Sequence, residues 1–419
     1  MEVFARLRPQ TIEMNTEFVR SQFPGLKDDF IFFDNAGGSQ IAQQVIDKIN
    51  DYLVNSYVQL GASYSVSELA TKRVAELQNV GQLLLNTQSP AEIVTGSSTT
   101  MLLRQLAQAM LKNLKEGDEI IVTNCDHEAN IGAWRSLERF GIKIKVWEIN
   151  KDTFELQLSD LDLLINDRTV LVAFTHASNV LGTINPVKEI SAFVHERGAL
   201  VCVDGVAYAP HRLIDVRDLD VDFYVYSFYK TYGPHQAVLY GKKELLLKLD
   251  KLNHYFIGEE AIPYKLQPGN VNHELSYGTT GILDYFNAIA KAHDIDEDIE
   301  RKTLAAIFKL IATHEEELSQ RLLEYLNSKD QIKIIGHSSF DKKLRLPTIS
   351  FIVEGMNSRE ITLETDKENI GIRFGDFYAR RLIEYLDLTN YEGVVRVSMV
   401  HYNTLEEVDK LISTFEEIF

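Results

Sequence analysis

The chain has 419 residues, 45% hydrophobic and 25% charged, the proportions of a globular protein too long for one ordinary core. Lys and Arg number 43 against 61 Asp and Glu, and a net charge of −18 argues against a nucleic-acid or anionic-membrane surface. Two cysteines, Cys125 and Cys202, exclude a disulfide framework and fit a reducing cytosol. The N-terminus shows no signal-peptide pattern and no apolar run reaches the roughly 20 residues of a membrane span, so a cytoplasmic protein is expected.

Ile31-Phe32-Phe33 reads as a short strand entering the turn-rich loop Asp34-Asn35-Ala36-Gly37-Gly38-Ser39, ahead of a helix from about Ala42 to Leu53. Ser67 is a candidate N-cap for the next helix. Residues 91–95 lead into Gly96-Ser97-Ser98-Thr99-Thr100 and an amphipathic helix. Apolar, β-branched strands then alternate with helices, at 119–124, 142–149, 169–176, 199–204, 221–227 and 237–241. That alternation implies a mainly parallel sheet covered on both faces. After about Thr280 the texture changes to a long helical stretch, then spaced strands at 331–336, 348–355, 370–375 and 394–400. A last helix begins at Leu405, with Thr404 and Glu407 at capping-box spacing. The expected fold class is α/β: a large domain with a mainly parallel, seven-stranded-type sheet between helices, plus a smaller α+β C-terminal domain. The expected boundaries are an N-terminal segment 1–30 packing with the small domain, a large domain 31–285 and a small domain 286–419.

Ligands of open α/β sheets sit outside the carboxyl ends of the strands. Asp204 ends one strand, and Lys230 follows another, 26 positions later. A lone Asp-Gly is usually a turn and a lone lysine usually a solvated surface residue; the pair gains meaning from its neighbours. Pyridoxal phosphate needs a lysine for a Schiff base and an acid against its pyridinium nitrogen. Ser98 and Thr99 stand at a helix start, where free N–H groups and the helix dipole favour a phosphate, and Ser227 can add a hydroxyl. His127 follows the strand at 119–124 and offers a planar imidazole to stack on a planar cofactor. Asn179 follows another apolar strand and can donate to a phenolate or a substrate carboxylate. Phosphate loop, ring, amide, acid and lysine each end a successive strand, an order that independent accidents rarely produce.

The segments DNAGGSQ, TGSSTT, DHEANIGAW, THASNVLGTINPV, VDGVAYAPH and SFYKTYGP also resemble the fold-type I pyridoxal-phosphate enzymes of the class V aminotransferase and cysteine desulfurase group. The similarity runs from about Phe23 to the final helix. It implies a catalytic set of Lys230 as Schiff-base lysine, Asp204 against the pyridine nitrogen and His127 on the ring. It further implies cofactor contacts from Ser98, Thr99, Asn179 and Ser227, and an arginine clamp on the substrate α-carboxylate at Arg396, with Asn179 and Arg373 beside it. A homodimer with shared sites is implied too, and an amino acid substrate; no metal is called for.

Four departures stand out. Desulfurases carry a nucleophilic cysteine in an Arg-x-Gly-x-x-Cys loop, and the matching stretch here is Arg373-Phe374-Gly375-Asp376-Phe377-Tyr378. Ala207 stands where relatives often have Gln, and Tyr229 where many have His before the lysine. Asn270 stands near a threonine that reaches the partner's phosphate in relatives. A phenol cannot carry a persulfide, so the reading favoured is β-elimination, carbon–sulfur lyase chemistry on a cysteine-type substrate. Aminotransfer and epimerisation are the alternatives on the same fold, and a non-catalytic dimeric scaffold is the alternative from another class. Asp376, Tyr378 and Tyr229 are the candidates to protonate a leaving group.

Overall fold

The computed structural model describes residues 13–26, 29–295 and 298–419. Of the N-terminal segment 1–30, residues 1–12, 27 and 28 lie outside this set.

Seven strands form the main sheet: β1 (Ile93–Gly96), β2 (Glu119–Thr123), β3 (Lys143–Trp147), β4 (Thr169–Thr175), β5 (Leu200–Asp204), β6 (Phe223–Ser227) and β7 (Ala237–Gly241). Their order is β1-β7-β6-β5-β4-β2-β3, parallel throughout except β7, which runs antiparallel to both neighbours. Strands β2, β6 and β7 are buried at every position because helices cover both faces, which is why they read as continuous apolar runs. One core cluster packs Leu102, Leu103, Leu106 and Met110 of helix α1 (Thr99–Met110) against Val94, Val122, Leu171 and Val225 of the sheet. Each such side chain contributes about 2 kcal/mol by leaving water.

Helices α2 (Glu128–Arg135), α3 (Gly281–Ala292) and α4 (Arg301–Asn327) follow, α3 and α4 occupying the expected long helical stretch. Beyond them β8 (Ile332–Ile335), β9 (Thr348–Val353), β10 (Arg373–Gly375) and β11 (Val394–Ser398) form an antiparallel sheet in the order β10-β11-β9-β8. The last helix, α5 (Leu405–Ile418), carries the capping box at Thr404 and Glu407. Ile31–Phe32 pairs in parallel with Ile370–Gly371, which delivers the following residue pair, Phe33 and Asp34, to the edge of β11. Arg20 donates to Glu407 at 2.7 Å and to the Tyr402 carbonyl at 2.9 Å. Ser67 does not cap a helix. That helix spans Ser65–Leu85, and the Ser67 hydroxyl instead bonds the Gln59 carbonyl at 2.7 Å, pinning the preceding loop. Among the described residues no helix is long and apolar enough to cross a membrane.

The two sheets meet at the loop after β4. The Ser350 hydroxyl of β9 donates to the Val180 carbonyl at 2.6 Å, and Thr183 pairs with Arg345. Gly182 has φ +69, and a Cβ built there would lie 2.2 Å from the Thr348 carbonyl oxygen, so only glycine lets this loop lean on β9. Gly182→Ala should therefore lower stability by about 2–3 kcal/mol, read as a lower midpoint in urea unfolding with an unchanged slope.

Candidate active site

Sheet register sets out the site. Gly96 lies opposite Ala237 and Ala237 opposite Ser227, while Asp204 lies opposite Val225 and Thr175, so the ends of β1 and β6 and the start of β7 share one line and β5 and β4 end two residues short of it. Just beyond it is a cavity with about 510 Å³ of free space, and Ser98, Thr99, His127, Asn179, Asp204, Ser227 and Lys230 all line it. Thr100, Thr175, Ala207 and Tyr229 line it as well.

At one end α1 points its N-terminus inward. Ser98 caps that helix, its hydroxyl accepting from the Met101 N–H at 3.2 Å. The Thr99 and Ser227 hydroxyls lie 2.8 Å apart, joining the loop before α1 to the end of β6. Free helix N–H groups with clustered hydroxyls make an anion cradle in a chain with a large negative charge.

His127 forms one wall. It caps α2, its Nδ1 accepting from the Ala129 N–H at 3.0 Å, so the neutral ring carries its proton on Nε2. Burial, then the positive charges of Lys230 and Arg396, push its pKa down to about 4, and the ring is uncharged at neutral pH. Asp204 stands at the far end, Oδ1 accepting from the Val206 N–H at 2.9 Å. Burial pushes its pKa up to about 6, against the opposing pull of that N–H and of Lys230. A cation placed against this carboxylate would hold it ionised.

Lys230 is buried, and among the described residues its amine makes no hydrogen bond or ion pair; Nζ lies 5.9 Å from the Tyr229 ring centre. Burial, then Arg396, lower its pKa to about 8, while Asp204 and Asp34 raise it partway back. Arg396 is buried as well. Its Nη2 donates to Asp34 Oδ1 at 2.7 Å, Nη1 donates to the Asn179 carbonyl at 3.1 Å, and the guanidinium lies 3.7 Å over the Phe377 ring. Its Nε has no partner among the described residues. Leaving such a group unpaired costs about 1–3 kcal/mol.

The unpaired amine, the anion cradle at one end and the buried carboxylate at the other fit a phosphorylated aromatic aldehyde of the pyridoxal type. Lys230 and Asp204 would hold its two reactive positions, with Ser98, Thr99 and Ser227 on the phosphate and His127 on the ring.

Three expected residues do not line the cavity: Asn270, Arg373, and Arg396, which is buried beside Asp34 and Phe377. Asn270 does not line this cavity; with Gly96, Ser97 and His235 it lines a second one behind the phosphate loop. Arg373 is exposed and lines a separate groove with Asp376 and Tyr378, its Nη1 3.7 Å from Asp34 Oδ2. Asn179 is in place, but its amide donates to the Phe377 carbonyl at 2.9 Å, and that bond fixes the neighbouring loop. Asp34 and Asp126 escaped the sequence reading. Asp126 is fully buried and accepts from Thr123, from Asn130 at 2.7 Å and from the Thr175 N–H at 3.1 Å, tying the end of β2 to that of β4. Its position directly before His127, on a strand end, was the available signal.

Comparison with known proteins agrees with this pocket. The family described as Aminotransferase class-V matches residues 31–411. The chain is 42% identical over 412 residues to the aminotransferase-like protein FGM3 of Gibberella zeae, covering 96% of this chain and 98% of that one. It is 33% identical over 416 residues to the cysteine desulfurase-like protein ustD of Aspergillus flavus, covering 97% and 91%. In fold it is similar to a cysteine desulfurase from Thermococcus onnurineus NA1, with a TM-score of 0.85, 24% identity and 97% and 98% of the two chains covered.

The depressed lysine pKa gives a test. Only the neutral amine attacks an aldehyde, so the rate at which cofactor-free protein takes up pyridoxal phosphate should rise about tenfold from pH 7 to pH 9 and then level off. Stopped-flow absorbance checks this; a lysine of ordinary pKa would still be accelerating at pH 10. The strand-end pocket and these matches together place the chain in the class V aminotransferase family, fold-type I enzymes that depend on pyridoxal phosphate.

Proposed function

We propose that the protein acts on an α-amino acid by removing its Cα proton and expelling a substituent from Cβ, as a β-eliminating lyase on a cysteine-type substrate. The observation that carries this reading is the side chain at the desulfurase cysteine position. Tyr378 stands there, 69% exposed, its ring centre 5.2 Å from that of His127. Neither cysteine replaces the missing nucleophile. Cys125 is buried with its thiol pushed up to about 12 by burial and by Asp126, and buried Cys202 is raised well above the ordinary thiol range. Neither is a thiolate at neutral pH, and a thiol in that state is a poor acceptor of sulfur. The relative named cysteine desulfurase-like supports a sulfur-containing amino acid as the substrate class.

Bound pyridoxal phosphate supplies an electron sink for the pair released at Cα. The chain's own groups supply the rest. Arg396 is the group proposed to take the α-carboxylate, and the Phe377 ring lies 3.7 Å from its guanidinium. Lys230, half neutral near pH 8, accepts the Cα proton. The cavity favours Tyr229 as donor to the leaving group, because Asp376 and Tyr378 line a groove outside it. Burial, then Asp204 and Tyr378, raise the Tyr229 phenol, which keeps its proton available at neutral pH.

We also propose a homodimer. Tyr255 and Phe256 are 89% and 68% exposed on one loop, and Asn270 lines a separate cavity, positions suited to a second copy. We further propose a domain division at 285/286, inside α3. Light scattering should give twice the chain mass.

Holoenzyme given L-cysteine or an S-alkyl cysteine should release pyruvate, ammonia and the thiol in equal amounts, and its mass should show no added sulfur atom. Amino transfer to a keto acid without pyruvate would instead establish the aminotransferase outcome. Arg396→Lys should raise KM about 10- to 100-fold while kcat changes less, since the lost contact is to the carboxylate and not to the reacting bond.

A further inference from the structure

Asp204 lines the cavity, but the rings of His176, Tyr208 and Tyr224 behind it do not. His176 follows the last residue of β4, Tyr224 lies within β6, and Asp204 ends β5 between them. Tyr224 is fully buried and His176 nearly so. The His176 Nδ1 and the Tyr224 hydroxyl lie 2.8 Å apart. The imidazole is stacked on the Tyr208 ring, centres 3.5 Å apart and planes 10° from parallel, and meets the Tyr224 ring edge-on at 84°. One face and one nitrogen are engaged, so the imidazole cannot turn without breaking both contacts.

This set bears directly on the turn that carries the carboxylate. The His176 N–H donates to the Asp204 carbonyl at 2.8 Å, and the Thr175 hydroxyl lies 3.2 Å from the same oxygen. The Gly205 N–H donates to the Val225 carbonyl at 2.8 Å, and the Gly205 carbonyl accepts from the Tyr208 N–H at 3.0 Å. A Cβ added at Gly205 would overlap the Tyr224 phenol, so that ring packs against the main chain directly after Asp204. Each of the three residues therefore holds the backbone at Asp204 or Gly205.

Neither member of the bonded pair is charged at neutral pH. Burial pushes His176 down to about 3; burial, then Tyr208 and Asp204, raise Tyr224 well above the ordinary phenol range. A cationic imidazole behind Asp204 would compete with a ligand for the carboxylate's charge. A neutral one fixes its position alone.

We infer that His176 and Tyr224 are positioning residues for Asp204: their bond, backed by Tyr208, locks the strand-end turn that presents the carboxylate to the cofactor's ring nitrogen. This rests on the reading above that Asp204 meets that nitrogen. Such a contact has to be held to within about 0.5 Å, which a carboxylate on an unsupported turn does not achieve.

The test uses full-length holoenzyme loaded with pyridoxal phosphate or with its 1-deaza analogue, in which C–H replaces the ring nitrogen. Cofactor appearing in the filtrate after dilution gives the release rate. Wild type should release the deaza analogue about tenfold faster, because its contact to Asp204 is gone. Tyr224→Phe keeps the ring and deletes the bond, and His176→Phe keeps the stack and deletes the bond from the other side. Each should speed release of pyridoxal phosphate about five- to tenfold and leave release of the deaza analogue unchanged, and the double variant should be no faster than either alone. Equal acceleration of both cofactors would reveal general loss of packing, and no acceleration of either would reveal no role; both results overturn the inference. Equal release of the two cofactors by wild type would instead defeat the pairing of Asp204 with the ring nitrogen, and the inference with it.

Discussion

Desolvation of the Lys230 amine is the constraint around which the rest of this protein is arranged. A buried lysine gives up its charge unless a counter-ion is supplied, and this one has Arg396 as an adverse neighbour and only the partial help of Asp204 and Asp34. The result is an amine poised between its two states at ordinary pH, which serves a group that must first attack a carbonyl and later carry a proton. Keeping it there needs a dry pocket with fixed walls. Neighbouring strand ends within two residues of one line, the caps at Ser98 and His127, and the loop leaning on β9 through Gly182 all serve that end.

Charge inside the pocket is apportioned by the same logic. His127 is held neutral, so the ring beside it meets a flat imidazole and not a cation. Burial raises Asp204 to about 6 although it accepts from the Val206 N–H, and a pyridinium opposite would settle it as the anion. Arg396 keeps one guanidinium edge unpaired, while Asp34 and the Asn179 carbonyl hold the other donors in place. Asp34 thus orients the arginine without satisfying it. A free clamp would be mobile, and a fully satisfied one would not bind carboxylate.

Much of this was legible in the chain because it is local. Strand, turn and helix-start signals lie within ten residues of one another, and the rule that ligands gather at carboxyl ends converts them into a site. Seven of the expected residues therefore share one cavity. What the sequence could not show is long-range. Asp34 and Arg396 are 362 positions apart and meet only because Ile31–Phe32 pairs with Ile370–Gly371. Asn179 was expected to face the ligand, yet its amide is engaged by a carbonyl 198 positions away. Ser67 was misplaced because N-cap preference is a weak local prior, and the loop it anchors competed for its hydroxyl.

The loop at 375–378 shows how a family fold is redirected without altering its core. In place of a reactive thiol the chain carries a phenol, and the segment holding it is clasped to the large sheet by Asn179, Glu128 and Arg381. A nucleophile that leaves with sulfur has to travel between substrate and acceptor, so a pinned backbone would hinder it. Strain at Phe377 and Tyr378 and an unreactive ring in place of a thiol therefore go together.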